Sequence, residues 1–458
     1  MSHVLNEALS PGQVRRDADT LAAWGCDWTR SFKVDPSAVV FPESVDDVVA
    51  LVQLANRDGL ALVPSGGRTG LSGGAVAGNR EIVVSFDRMN RILDFEPADR
   101  LVTCQPGVVT QTLQDYASER GLCYPVDFAS AGSSHLGGNI ATNAGGIKVI
   151  RYGLTRDWIA GLKVVTGAGE VLDLNRGLVK NATGYDLRHL FIGSEGTLGF
   201  VVEADVLLTS APQPQSVMVL GVPRFRDLLS VLAEFQRRLT LSAFEFFSEL
   251  ALEKVTAHRD LARPLHGESP FYALIEFDES ALDGATGAFE QCVGEGWVTD
   301  GVLSQSETQA NNLWQLREGI SESIAPYTPY KNDLSVRVSR MPTFLDDIDA
   351  LVRQSYPDFE VCWYGHIGDG NLHLNILKPA ALSQADFYAR CHDISPRIFA
   401  EVAAREGSVS AEHGVGLLKR DFLSYTRSAE EIAVMRSIKA VLDPNGIMNP
   451  GKLFGPPS

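Results

Sequence analysis

The sequence predicts a mixed α and β chain of two or three domains, and three observations carry that expectation. At 458 residues the chain is too long for one simple core. Up to about residue 208, short β-rich runs alternate with turns and a few helices. Near residue 370 an Asp-Gly step between two apolar runs marks an antiparallel hairpin. A hydrophobic content of 45% and a charged content of 21% are ordinary for a globular protein.

Taken in order, Val45–Arg57 is helical by its apolar periodicity, and Leu60–Pro64 and Glu81–Phe86 read as strands. Between the two strands lies Ser65-Gly66-Gly67-Arg68-Thr69-Gly70-Leu71-Ser72-Gly73-Gly74, five glycines in ten residues. Such a segment exposes successive backbone N–H groups and admits close approach of a diphosphate. It is neither a Walker loop nor a GxGxxG that opens a helix, which argues against a nucleotide triphosphatase or a Rossmann nicotinamide site. Read alone, it is also compatible with a plain surface loop. A second tract runs through Ala131-Gly132-Ser133-Ser134 and Gly137–Gly146, and a third spans Gly193–Gly199 before a strand at Phe200–Leu208. Linkers would lack the flanking apolar runs. Three such tracts between strands suit an extended ligand carrying a diphosphate and flat rings.

Farther along, Trp314–Ser321 reads as a helix with Arg317 and Ser321 on one face, at i and i+4. Read alone, Arg317 and Lys331 are solvated surface charges. In the hairpin, with Asp369 and Gly370 as central turn residues, Gly368 pairs with Asn371, Ile367 with Leu372, and His366 with His373. The two histidines then face each other with Cβ atoms roughly 5 Å apart, and Asn375 shares their face. Two facing imidazoles are half of a metal site, or a pair satisfied by backbone hydrogen bonds. The cluster Ser410–Gly416 adds Glu412 as a third ligand and His413 as a general base near neutrality.

No apolar run approaches the roughly 18 residues of a membrane span, and Met1–Arg16 lacks the order of a signal or transit peptide. Cys26, Cys104, Cys123, Cys292, Cys362 and Cys391 are scattered without CxxC spacing and read as buried thiols of a reducing compartment, hence a cytoplasmic protein without integral membrane association. No cysteine cluster suits an iron–sulfur centre. The net charge of −17 disfavours nucleic acid and anionic membranes, and it obliges any acidic substrate to find dedicated local cations.

The tracts Pro64–Gly74, Gly132–Gly146 and Gly193–Gly199, the GHIGDGNLH hairpin, Ala411-Glu412-His413-Gly414 and Asn449-Pro450-Gly451-Lys452 together resemble the vanillyl-alcohol-oxidase type of FAD enzyme. The resemblance spans nearly the whole chain. Within that family it points to the branch of D-lactate, glycolate and D-2-hydroxyglutarate dehydrogenases, and the bacterial enzymes acting on D-2-hydroxyglutarate are the most similar. It implies an α+β fold: an FAD-binding domain of two subdomains over 1–211, an antiparallel-sheet cap domain over 212–406 with strands near Gln215–Val222, Phe271–Phe277 and Glu360–Asn375, and a segment over 407–458 returning to the flavin.

By the same resemblance, Pro64, Ser65, Gly66, Gly67, Arg68, Thr69, Gly70 and Leu71 hold the FAD pyrophosphate. Ser130, Gly132, Ser133, Gly137, Gly138, Ile140, Thr142, Asn143, Glu195, Gly196, Val201, Val202 and Asn449 hold the rest of the cofactor. The first tract contains no His or Cys, so FAD is expected to be noncovalent; Cys104 is taken as a core strand residue. Arg317, Ser321 and Lys331 match residues that bind one carboxylate of a dicarboxylate substrate, while Asn375 orients the other. A divalent metal, Zn²⁺, is expected on His366, His373 and Glu412, with His413 removing the hydroxyl proton. The expected partners are a small dicarboxylate 2-hydroxy acid, an electron-transfer flavoprotein or quinone as acceptor, and a second copy in a homodimer. The rival readings are a dehydrogenase of D-lactate, D-malate or glycolate, and a non-catalytic FAD-binding subunit.

Overall fold

The computed structural model describes residues 4–455; residues 1–3 and 456–458, which the terminal readings include, lie outside the described residues. The chain divides into two compact units. The first comprises Met1–Gly146, Gly153–Ala211 and Glu412–Ser458, and the second Ile147–Tyr152 and Pro212–Ala411. The second crossing falls at Ala411/Glu412 rather than at 407. Ser408 still exchanges backbone hydrogen bonds with Ser335, and the Ala411 N–H still donates to Asp333 O, so these residues belong to the second unit's sheet.

In the first unit, β1 (Val14–Arg15), β2 (Ala38–Val40), β3 (Leu62–Ser65) and β4 (Ile82–Ser85) form a sheet in the order β1-β2-β4-β3. β2 and β3 run parallel to β4. Parallel strands are covered on both faces and read as continuous apolar runs, as Ala38–Val40 and Ile82–Ser85 do. The helix Val45–Asp58 connects β2 to β3. Ser44 and Asp47 form a capping box at its start, and Gly59 ends it at φ 64°, in the left-handed region. Its Val48, Leu51, Val52, Leu54 and Ala55 fall on one stripe and fill the core beneath the sheet.

A second sheet is antiparallel, in the order β5-β6-β10-β8-β9. It is built from β5 (Ile92–Glu96), β6 (Leu101–Cys104), β8 (Ile159–Thr166), β9 (Val171–Leu174) and β10 (Gly199–Leu207). A two-stranded ribbon pairs β7 (Leu122–Cys123) with β11 (Thr209–Ser210). The C-terminal segment closes this unit. Asn449 N–H donates to Leu62 O at 2.8 Å and Leu62 N–H to Ile447 O at 2.8 Å. The turn is held by buried Asp443, which accepts from Ile447 N–H and Met448 N–H at 3.0 Å and from Lys439 Nζ at 2.7 Å.

The second unit is one seven-stranded antiparallel sheet in the order β15-β12-β14-β13-β17-β18-β16. Its strands are β12 (Gln215–Val222), β13 (Leu241–Ser248), β14 (Phe271–Asp278), β15 (Asp300–Leu303), β16 (Tyr330–Ser335), β17 (Val361–Gly365) and β18 (Asn371–Ile376). Helices Glu249–Arg259 and Glu307–Glu318 cover one face through Val217, Val219, Phe247 and Leu274. On the other face the Phe246 ring meets Phe225 of the helix Phe225–Arg238 at 5.3 Å. Cover on both faces explains why all eight residues of β13 are buried. The short excursion Ile147–Tyr152 joins this unit through Lys148–Glu276 at 3.2 Å and Arg151–Asp278 at 2.7 Å, a feature no sequence pattern announced.

Two sequence expectations are corrected here. The helix at Arg317 runs Glu307–Glu318, is interrupted at Gly319 and resumes over Ile320–Ser323, so Arg317 and Ser321 lie on consecutive pieces. The hairpin pairs Tyr364, not His366, with His373, and the connection is residues 366–370 rather than a two-residue turn. Gly370 alone of the Asp-Gly step has positive φ, at 89°, whereas a type I′ turn needs it at both positions. The cause is tertiary. Val336 N–H donates to Gly370 O, and a Cβ on residue 370 would meet Val336 O at 2.2 Å. Asn371 is fixed by Asp333 Oδ1 and Leu334 O, both at 2.9 Å.

Candidate active site

In the first unit the ends of β3 and β10 and the start of the helix Leu136–Thr142 surround a cleft. Its empty space, solvent mouth included, is about 980 Å³, within the range of small-molecule sites. Of the residues expected to bind the cofactor, Pro64, Ser65, Gly66, Gly67, Arg68, Thr69, Gly70, Gly137, Gly138, Thr142, Glu195, Gly196 and Val201 line it. The backbones are packed closely: a Cβ on Gly67 would meet Ser133 O at 2.1 Å and Ser134 Cα at 2.8 Å. Two buried atoms on the wall, Ser65 Oγ and His135 Nδ1, have no hydrogen-bond partner within the protein, the pattern left where a ligand supplies one.

The other expected residues do not line the cleft. Ile140 and Val202 are fully buried in the two apolar cores. Leu71, Ser130 and Gly132 are not among the lining residues, and Ser133 contributes the carbonyl that packs on Gly67. Asn143, at φ 50°, ends its helix and accepts from Arg156 N–H at 3.0 Å. Asn449, wholly buried, donates to Gly74 O and Glu195 O at 2.9 and 2.7 Å and ties two glycine tracts together. The Glu195 carboxylate accepts from Val415 N–H and Gly416 N–H, both at 2.7 Å, and so anchors the loop that carries Glu412 and His413. Glu412 Oε1 accepts from Gly146 N–H at 3.0 Å. His135, Phe86, Pro106 and Phe191 also line the cleft and were missed, because nothing in their local sequence marks them.

In the second unit, one face of neighbouring strands gathers Lys331, His373 and Asn375. Register pairs Lys331 with Asn375 and Asp333 with His373 on one side, and Asn375 with Cys362 and His373 with Tyr364 on the other. Residues two apart share a face, so Lys331, Asp333, His373, Asn375 and Tyr364 project together. The His366 and His373 ring centres lie 5.3 Å apart at 83°. The shift in register leaves them diagonal neighbours on the expected face.

All these side chains are buried or nearly so. Lys331 Nζ donates to Ser321 Oγ at 2.9 Å, and burial lowers its pKa below the ordinary lysine value. Arg317 is 6% exposed, with its guanidinium 4.7 Å over the Tyr364 ring. Burial pushes the Tyr364 hydroxyl up to about 12, against the opposing pull of the Arg317 charge.

Glu245 of β13, which no motif marked, completes the group. Its carboxylate lies 2.8 Å from His366 Nδ1 and 2.8 Å from Arg317 Nη2. The arginine contact is one of charge without hydrogen-bond alignment, and Arg317 Nε and Nη2 have no hydrogen-bond partner within the protein. Together the sheet face and the helix over it hold buried Arg317, part-buried Lys331, two imidazoles and an amide beside the carboxylates of Glu245 and Asp333, in a chain that is acidic overall. That combination suits a small anion with more than one carboxylate.

Comparison with known proteins shows the family. Residues 36–175 match the model of an FAD binding domain, and residues 211–453 that of the C-terminal domain of FAD linked oxidases. The chain is 59% identical over 453 residues to a D-2-hydroxyglutarate dehydrogenase of Stutzerimonas stutzeri, covering 98% of both chains. It is 55% identical to the enzyme of that name from Xanthomonas citri pv. viticola, covering 98% of this chain and 96% of that one. Among solved structures it superposes on p-cresol methylhydroxylase with a TM-score of 0.75 at 14% identity, covering 99% of this chain and 96% of that one, which is a likeness of fold.

Proposed function

The chain belongs to the FAD-linked oxidases, and on that premise we propose that it oxidises D-2-hydroxyglutarate to 2-oxoglutarate. Its fold is the expected vanillyl-alcohol-oxidase type, an FAD-binding unit with an antiparallel-sheet cap. The observation that carries the substrate is that buried Arg317, over Tyr364, and part-buried Lys331, opposite Asn375, stand on the same sheet face as the histidine pair: a 2-hydroxy acid with a second carboxylate needs cations besides the groups at its reacting end.

FAD fits the cleft of the first unit. Gly66–Gly70 offer main-chain N–H groups at a place where a Cβ on Gly67 would not fit, and Ser65 Oγ and His135 Nδ1 await partners. A divalent metal, Zn²⁺, fits the donor set His366, His373 and Glu412. His366 turns Nδ1 to a carboxylate, the arrangement that directs Nε2 to a metal. When bound, the flavin supplies the acceptor for the C2 hydride, and the metal supplies a positive charge that acidifies the C2 hydroxyl.

The protein's own groups do the rest. His413 takes the hydroxyl proton, Asn375 orients the C1 carboxylate, and Arg317, Ser321 and Lys331 hold the distal carboxylate. The electrons then pass to a separate acceptor, an electron-transfer flavoprotein or a quinone. The enzyme works as a cytoplasmic homodimer. Among the described residues no helix is long and apolar enough to cross a membrane, and none of the six cysteines is in a disulfide.

The deciding experiment pairs substrates with variants. Anaerobic D-2-hydroxyglutarate should bleach the flavin. Arg317→Ala or Lys331→Ala should lower kcat/KM on D-2-hydroxyglutarate by roughly ten- to a hundred-fold, the loss of a charge-assisted contact worth about 1.5–3 kcal/mol. D-lactate, with no distal carboxylate, should be affected far less. Equal losses on both substrates would return the assignment to an unspecified 2-hydroxy acid.

Acid precipitation should release FAD into the supernatant. Cys104, the residue most open to suspicion of a covalent link, is wholly buried on β6, and burial pushes its thiol up to about 12. Prolonged chelation should stop turnover while leaving FAD bound, and Zn²⁺ should restore it. His373→Ala should behave like chelated enzyme, and full activity in verified metal-free protein would remove the metal from the reaction.

A further inference from the structure

Glu245 sits in the β13 run Leu241–Ser248 among Phe244, Phe246 and Phe247, and it is 1% exposed. Phe246 pairs with Gly365 and Phe247 with Tyr364, so the same register brings Glu245 opposite His366. A carboxylate in such a strand is unfavourable unless it is paired. Here it has two partners of different kinds. His366 Nδ1 lies 2.8 Å from each of its oxygens, and Arg317 Nη2 lies 2.8 Å from Oε2.

We propose that Glu245 is a positioning residue that fixes the His366 ring and the Arg317 guanidinium at once, so that holding the metal and reading the distal carboxylate are coupled through one side chain. This rests on the metal and substrate roles given above for His366 and Arg317. Accepting from Nδ1–H selects the tautomer whose lone pair is on Nε2 and fixes the ring plane; loss of such a partner typically weakens metal binding by 10–100-fold. At the other oxygen, the charge contact keeps the guanidinium over Tyr364 without aligning with Nε or Nη2. Those donors therefore remain available to a ligand carboxylate. Coupling through a shared residue is reciprocal in binding free energy. Zinc loading should therefore tighten the binding of a 2-hydroxy dicarboxylate more than that of a monocarboxylate of the same configuration.

Two variants separate the two tasks. Glu245→Gln keeps an oxygen for His366 Nδ1–H but turns an amide donor toward Arg317. Glu245→Leu removes both contacts. Zinc content is measured after competition with a chelator, and steady-state kinetics are measured on D-2-hydroxyglutarate and D-lactate, with bound FAD confirming that each variant is folded. E245Q should hold zinc about as tightly as the unmodified enzyme, yet lose roughly ten- to a hundred-fold of its preference for the dicarboxylate, mainly through KM. E245L should lose 10–100-fold in zinc affinity as well. Unchanged preference in E245Q, or unchanged zinc affinity in a flavin-loaded E245L, overturns the proposal. Failure of the unmodified enzyme itself to take up zinc would instead show that the metal assignment beneath it is wrong.

Discussion

His413→Ala is expected to lower kcat by roughly 10²–10⁴-fold, the range for removal of a general base, and to do so on D-2-hydroxyglutarate and D-lactate alike. Proton removal at C2 is common to both substrates, whereas Arg317 and Lys331 act on one. KM should move much less than kcat, because His413 is assigned to the reacting hydroxyl and not to the carboxylates that bind. The loop should survive the change. Its course is set by the two hydrogen bonds to Glu195 and by Gly414 and Gly416, at φ 77° and 50°. Added imidazole restoring part of kcat would support the role, and a variant retaining more than about a tenth of normal kcat would remove it.

The second large effect concerns the cofactor. In Gly67→Ala the new methyl would lie 2.1 Å from Ser133 O and 2.8 Å from Ser134 Cα. Both are backbone atoms, so no side chain can swing aside and one tract must move away from the other. Overpacking of this kind costs about 1–3 kcal/mol in stability, and the displaced segments are those that line the FAD cleft. Purified G67A should therefore carry little flavin and melt at a lower temperature. Gly294→Ala, at a helix end where a Cβ meets nothing within 4 Å, is the control and should keep both flavin content and Tm. Normal flavin content in G67A would show that the tract does not cradle the diphosphate.

What the sequence made legible follows from the range of the interactions involved. The helix Val45–Asp58 and the strand β4 were visible within a residue or two, because apolar periodicity and flanking turn residues are local signals, whereas β12 and β14 were placed by the resemblance. The shared face of His366, His373 and Asn375 was visible through alternation along a strand, although the register was not. The Asp-Gly preference for a tight turn lost to contacts with residues 333–338, more than thirty positions away in the chain. Glu245 was invisible for the same reason: nothing in Ala243-Phe244-Glu245-Phe246-Phe247 indicates that the carboxylate meets a histidine 121 residues later. Asn449 was assigned to the cofactor, yet its amide bridges two carbonyls of the protein, a role that only the assembled first unit defines.

The pairing of Leu62 with Ile447 and Asn449 has a consequence for how the molecule is made. Synthesis proceeds from the N-terminus at about 5–20 residues per second, so the stretch Pro212–Ala411 emerges while the sheet around β3 still lacks its C-terminal contact. The inserted unit can therefore become compact on the ribosome before the unit that flanks it is complete. The glycine tracts tied by Asn449 wait until residues 447–449 have emerged, so the cofactor's compartment is finished after the inserted unit. A truncation just before Ile447 should then be as damaging as one in the middle of the chain, leaving a folded cap on a chain that retains no flavin.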